Sequence, residues 1–97
     1  MESTEILKIA ANALNEKKAK ELAAVKIDKL TVIAEYFLMC TATSSTHVRA
    51  LADEVEEKLG EAGVQPHHIE GKTTGWIVLD YGSVIVHIFH NDEREFY

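Results

Sequence analysis

The sequence holds one cysteine, one proline and five glycines in 97 residues, and each scarcity excludes something. A single thiol cannot close an intramolecular disulfide, so a stapled extracellular scaffold is excluded and a reducing compartment is expected. So little proline and glycine leaves no linker or low-complexity tract, and no internal repeat is visible. No apolar run reaches the roughly 20 residues that cross a bilayer. The best, Trp76 to Leu79 and Val84 to Phe89, are separated by Asp80 and Gly82. The opening residues Met1-Glu2-Ser3-Thr4-Glu5 lack the basic and apolar regions of an export signal. A cytoplasmic protein is expected.

Positive charge is also scarce. Ten Lys and Arg stand against sixteen Asp and Glu, for a net charge of -6. The imbalance is unevenly placed: residues 1–49 hold six acids and seven bases (net +1), and residues 50–97 hold ten acids and three bases (net -7). Such a balance disfavours phosphate backbones, whose affinity comes mostly from Lys and Arg. Little direct nucleic-acid contact is expected. An acidic half suits a basic protein partner, although a solvated acidic surface is the commoner reason for such a bias.

What is present is enough for one core. Apolar residues make up 46% of the chain and charged residues 27%, with mean hydropathy -0.08, which fits one globular domain over residues 1–97. Ser3 is a candidate N-cap for a first helix, in which Ile6, Ile9, Ala10, Ala13 and Leu14 recur at helical spacing before the pattern fades near Lys18 to Lys20. Leu22 to Ile27 reads as a short strand. Thr31 to Thr41, rich in β-branched and aromatic residues, reads as a buried one. A hydroxyl-rich loop, Thr41 to Thr46, then leads into the clearest helix. Val48, Leu51, Ala52, Val55 and Leu59 form its apolar stripe, Ser44 or Ser45 its cap, and Gly63 its end.

His67 to Glu70 is a candidate short strand. Trp76 to Asp80 and Val84 to Phe89, joined by Tyr81-Gly82-Ser83, predict a hairpin whose near-continuous apolar content implies burial on both faces. Asp92 to Tyr97 begins a further helical segment. The order α-β-β-α-β-β-β-(α) predicts an α/β fold: a mixed five-stranded sheet with one parallel pair, flanked by helices.

Reaction chemistry is sparse. The Thr43 to Thr46 loop opens a helix N-terminus, where an anion is favoured. With Asp80 on a hairpin strand, that suggests a small nucleotide-using transferase. Metal-assisted nucleotidyl transfer needs paired carboxylates, however, and the residue two beyond Asp80 is Gly82. No phosphate-binding glycine loop occurs. His67 and His68 are adjacent and His87 and His90 are three apart, so each pair splits across the two faces of a strand, and no metal or cofactor is expected. Cys40 or Ser45 with His47 lacks an identifiable third partner.

A surface remains. Trp76, Val78 and Asp80 share one strand face, with Tyr81 next to them in the turn. Tryptophan, acid and tyrosine together can anchor a protein partner. Spacing alone leaves open whether Trp76 does this or plugs the core, the commoner fate of tryptophan.

Longer motifs add to this reading. Glu35-Tyr36-Phe37, Thr43-Ser44-Ser45 and Ala52-Asp53-Glu54-Val55-Glu56 occur in the first part of the chain. Glu70-Gly71, Gly75-Trp76-Ile77-Val78-Leu79-Asp80-Tyr81-Gly82, Val84-Ile85-Val86-His87-Ile88-Phe89-His90 and Arg94-Glu95-Phe96-Tyr97 follow. Together they resemble the Iojap-like ribosomal silencing factors over nearly the whole chain.

The resemblance implies a nucleotidyltransferase-like topology without the catalytic carboxylates, and a translational repressor rather than an enzyme. It further implies binding to protein fourteen of the large ribosomal subunit, which blocks joining of the small subunit and lowers translation when nutrients run short. By the family pattern Trp76, Asp80 and Tyr81 fall in the partner surface, and Glu70 and His87 extend it. Family members usually continue past the Phe-Tyr pair into a terminal helix, whereas this sequence stops at Tyr97. A homodimer that buries the Trp76 edge as a storage form is compatible with this reading.

Overall fold

The structure, a computed structural model, describes residues 1–27, 34–71 and 75–90. Two helices, α1 (Ser3–Glu16) and α2 (Ser45–Glu61), accompany five strands: β1 (Lys20–Lys26), β2 (Tyr36–Ala42), β3 (His68–Glu70), β4 (Trp76–Asp80) and β5 (Val84–His90). They form one mixed sheet in the order β1-β2-β5-β4-β3. The central pair β2 and β5 is parallel, and every other pair is antiparallel. The expected α/β class and single parallel pair are therefore present. The final helical segment expected at 92–97 lies outside the described residues.

Both helices pack on the same side of the sheet. Ile6, Ala10, Ala13 and Leu14 of α1 and Val48, Leu51, Ala52, Val55 and Leu59 of α2 are buried against Leu38, Cys40, Ala42, Ile77, Leu79, Val84, Val86 and Ile88. The helical residues are the apolar stripes read from the sequence. The strand residues alternate along β2, β4 and β5, as one face of a pleated sheet must.

The expectation that the hairpin is buried on both faces needs correction. Ile77, Leu79, Val84, Val86 and Ile88 are 0–1% exposed, while Trp76, Val78, Asp80, Ile85 and His87 on the other face are only partly buried. The strands are apolar on both sides, but both described helices cover one side.

Element ends also differ from expectation, for local reasons. The N-cap of α1 is Glu2, not Ser3, and its side chain makes no capping bond; the Glu2 carbonyl accepts from the N–H groups of Glu5 and Ile6. Strand β1 starts at Lys20, two residues early, because a bulge between Lys20 and Ala23 brings Lys20 into register with Thr41. Of the stretch expected as the buried strand, Ala34 and Glu35 lie before the strand, and residues 31–33 lie outside the described residues. Strand β2 begins at Tyr36, where pairing with Val84 starts.

The two helices end in the same way with different residues. At α2, Val64 N–H donates to Leu59 O (2.8 Å) and Gly63 N–H to Gly60 O (3.0 Å), with Gly63 at φ +84°. At α1, Ala19 N–H donates to Leu14 O (3.0 Å) and Lys18 N–H to Asn15 O (3.0 Å), with Lys18 at φ +61°. Both are Schellman endings, in which the residue just past the cap adopts the left-handed conformation that suits glycine. Gly63→Ala is therefore expected to destabilise the protein by about 1 kcal/mol, and Lys18→Gly to stabilise it by about 0.5–1 kcal/mol. Urea-unfolding midpoints check both signs.

Candidate docking surface

The sheet face turned away from the helices is built in rows across the strands. Ala23, Met39, His87, Val78 and Glu70 are in register from β1 to β3, and Val25, Phe37, Ile85, Asp80 and His68 form the next row. A shorter row of Thr41, Phe89 and Trp76 crosses the other end of β2, β5 and β4. No described helix or strand covers this face. Val25 is 44% exposed, and Phe37, Met39, Trp76, Val78 and Ile85 are partly exposed.

Aromatic rings from three strands meet on it. Trp76 stacks on Phe89 with ring centroids 5.1 Å apart, and His87 lies 6.0 Å from Phe89 and 6.1 Å from Trp76. Phe37 meets His87 edge-on at 5.2 Å. These separations are those at which aromatic pairs attract. An open depression of about 180 Å³ adjoins the cluster, lined by Glu70, Gly71, Trp76 and Val78.

Four of the five residues singled out in the sequence thus share this face: Trp76, Asp80, His87 and Glu70. Tyr81 does not. Its ring is 4% exposed and belongs to the helix-side core. Strand alternation explains the correction, because the residue after Asp80 points through the sheet and not along it. Burial, reinforced by the Glu56 carboxylate on α2, pushes the pKa of the Tyr81 hydroxyl up to about 12, and its oxygen has no hydrogen-bond partner among the described residues.

Asp80 has a structural task as well. Its Oδ1 accepts from the Gly82 N–H at 2.8 Å, and its carbonyl accepts from the His67 N–H at 2.7 Å. Gly82 sits at φ +82°, with His67 Cε1 3.0 Å from where a Cβ would be. The tip of the hairpin is therefore fixed, and Asp80 is held at the edge of the face. At the β3 edge, His68 Nε2 and Glu70 Oε1 are 2.8 Å apart and both side chains are well exposed.

His87 is the unusual member. It sits mid-face, and neither ring nitrogen has a hydrogen-bond partner among the described residues although both are shielded from solvent. Desolvation lowers its pKa below the ordinary histidine value, so the imidazole is held neutral.

The residues considered for catalysis are engaged elsewhere. His47 Nδ1 accepts from the Thr43 N–H (3.0 Å), and its Nε2–H donates to the Lys17 carbonyl (2.7 Å), which ties the start of α2 to the end of α1. Ser44 Oγ caps α2 by accepting from the His47 N–H at 3.1 Å. Cys40 is fully buried. Among the described residues no group of three or more His, Cys, Asp or Glu side chains could hold a metal ion.

The sequence reading missed Phe37, Met39, Ile85 and Phe89 as members of this face. The available signal was β2 itself: Tyr36-Phe37-Leu38-Met39-Cys40 is apolar at every position. Two helices can hide only one side of such a strand.

The fold and this face together define a two-layer α/β domain with an aromatic sheet face that no described helix or strand covers. The model of the family described as ribosomal silencing factor during starvation matches residues 1–97. The ribosomal silencing factor of Bacillus subtilis is 39% identical over 98 residues, spanning all of this chain and 83% of that protein. The chloroplastic Iojap protein of Zea mays is 28% identical, over 90% of this chain and 38% of that protein. A crystal structure of a Chromobacterium violaceum protein superposes with a TM-score of 0.94 at 37% identity, covering 100% of this chain and 82% of that one. One from Bacillus halodurans gives 0.88 at 34%, covering 98% and 90%. The chain belongs to the ribosomal silencing factor family.

Two pH responses follow from these environments. Between the ordinary histidine value and the lower one of folded His87, the unfolded chain binds the proton more readily. Stability therefore falls as pH drops below about 6.5, and His87→Phe should flatten the decline in urea midpoint between pH 7.5 and 5. Tyr81 acts at the opposite end. The unfolded phenol loses its proton near 10 and the folded one near 12, so its contribution falls as pH rises through that window. Tyr81→Phe should lose less stability than the unaltered chain when unfolding is followed from pH 9.5 to 11.5.

Proposed function

We propose that the chain is a translational repressor that docks its uncovered sheet face on the large ribosomal subunit, at protein fourteen, and so keeps the small subunit from joining. The observation that supports this most directly is the aromatic patch of Trp76, Phe89, His87 and Phe37 on a face that no described element covers. Family membership supports the ribosomal setting.

The action is steric exclusion. The body measures 32 × 30 × 21 Å, and seated on the surface that receives the small subunit it occupies volume the joined ribosome needs. A standard interface of roughly 800 Å² per partner is within the capacity of a five-stranded face with its rim. Trp76 provides the apolar anchor, and Asp80 and Glu70 present negative charge to a basic ribosomal protein. Nutrient limitation is the condition under which such a block is useful, and no turnover is needed for it. A second copy seated on the same face would store the factor undocked.

The nucleotide-transferase alternative is not favoured. Its loop is committed to capping α2 and binding His47, and Asp80 is committed to the hairpin tip.

Co-sedimentation with purified large subunits tests the proposal. Because Asp80 Oδ1 holds the turn, Asp80→Asn is the appropriate change, since it keeps an acceptor while removing the charge. Combined with Trp76→Ala, it is expected to weaken binding by about 30-fold or more with an unchanged far-UV circular dichroism spectrum. Full binding by the folded double variant would remove this face from the mechanism.

A further inference from the structure

The docking face is not flat. Toward its β3 edge lies the open depression of about 180 Å³ lined by Glu70, Gly71, Trp76 and Val78. It has room for one long side chain and is too small for a helix, which is roughly 10 Å across. Strand register brings its walls together. Glu70 is opposite Val78, and Trp76 lies two residues before Val78 on the same face of β4. Phe89 stacks on the indole from the β5 side, with centroids 5.1 Å apart. Gly71, just after β3, adds no side chain. The indole is thus backed by a ring on the inner side and adjoins open space on the outer.

One group sets the charge of this space. Of the four lining residues only Glu70 is ionisable, and its side chain is 70% exposed. Its Oε1 is 2.8 Å from His68 Nε2, and Oε2 has no partner among the described residues. An aromatic wall with a carboxylate at its rim suits a cation on a long apolar stem. An apolar side chain would cover the indole but give the carboxylate no partner, and an anion would be repelled. Between the two basic side chains, arginine fits better. Its planar guanidinium lies flat on an aromatic ring, and it is more weakly hydrated than an ammonium, so it loses less on leaving water. Its N–H groups also form charge-assisted bonds to a carboxylate.

Resting on the docking reading above, we infer that this depression receives one arginine side chain of the partner protein, with the guanidinium laid on Trp76 and donating to Glu70. Trp76 then acts through its ring as well as its apolar area. Glu70 is a direct contact and not a share of diffuse rim charge.

A double-mutant cycle on purified large subunits tests the assignment. Glu70→Gln keeps an oxygen beside His68 and is expected to weaken binding about 10-fold. Glu57→Gln removes the same charge from an exposed position on α2 and should leave binding unchanged. Trp76→Leu keeps an apolar side chain without a ring and should weaken binding by about 5-fold or more. Both changes together should cost clearly less than the product of the single factors, because both act on one guanidinium. Equal effects of Glu70→Gln and Glu57→Gln overturn the inference, as do single effects that multiply in the double variant.

Phenylglyoxal, which modifies arginine, identifies the residue type and does not depend on the Trp76 variant folding. One arginine of a large-subunit protein should be protected by the unaltered chain and regain reactivity under saturating Glu70→Gln. The absence of such an arginine overturns the inference, as does a lysine that behaves this way toward an amine reagent in its place. Failure of the docking reading itself looks different: the unaltered chain would not bind the subunit, or the Trp76→Ala, Asp80→Asn variant would bind in full.

Discussion

A five-stranded sheet has two faces, and here the two described helices both lie on one of them. The stripes of α1 and α2 meet Leu38, Leu79, Val84, Val86 and their neighbours, and that side is closed. Yet Phe37, Met39, Trp76, Val78, Ile85 and Phe89 make the other side apolar too, with most of them only partly buried. Leaving such a surface toward water forgoes roughly 25 cal/mol for each Å² of apolar area that could be covered. A contiguous apolar face of this kind is the usual mark of a place where another surface fits. The proposed activity rests on this geometry: among the described residues one layer of helices covers one side of the sheet, and the other side is the surface proposed to meet a partner.

The face is prepared before any partner arrives. Its backbone is fixed by the ladders of five strands, so docking orders little main chain. The tip of the hairpin is held by Asp80, Gly82 and His67, and the helix layer is pinned from behind by His47 bridging Thr43 and Lys17. The aromatic rings support one another across β2, β5 and β4, which limits the rotamer freedom lost on contact. Preorganisation of this sort lets a small interface keep more of its gross interaction energy.

Much of this was legible from residue pattern. The helix stripes, the αL ending at Gly63, the hairpin at 76–89 and the mixed sheet all follow from periodicity and turn chemistry, because those signals are local. Tyr81 was misplaced because its neighbours Asp80 and Gly82 suggest a turn at the surface, whereas the strand alternation carries its ring inward for one residue more. The burial state of the hairpin was misread for a different reason. An apolar strand looks the same in sequence whichever of its faces the helices take, and among the described residues both helices lie on one face.

A factor that acts by occupying space is judged by how long it stays and whether it lands the right way round, and the two parts of the face divide those tasks. In the proposed docking, apolar contacts around Trp76 set the escape rate, because they must be rehydrated before the domain leaves, and most affinity differences among related interfaces reside in that step. Charge at the rim acts earlier. It raises the encounter rate and rejects wrong orientations, at a modest contribution to final affinity. His87 belongs to neither group. With its ring nitrogens shielded and without a hydrogen-bond partner among the described residues, it contributes aromatic surface while neutral and would place an uncompensated charge in the patch if protonated. The neutral ring therefore keeps the centre of the face uniformly apolar, and the acidic groups of the face, Asp80 and Glu70, stand toward its β3 edge, where solvated charges carry little desolvation cost.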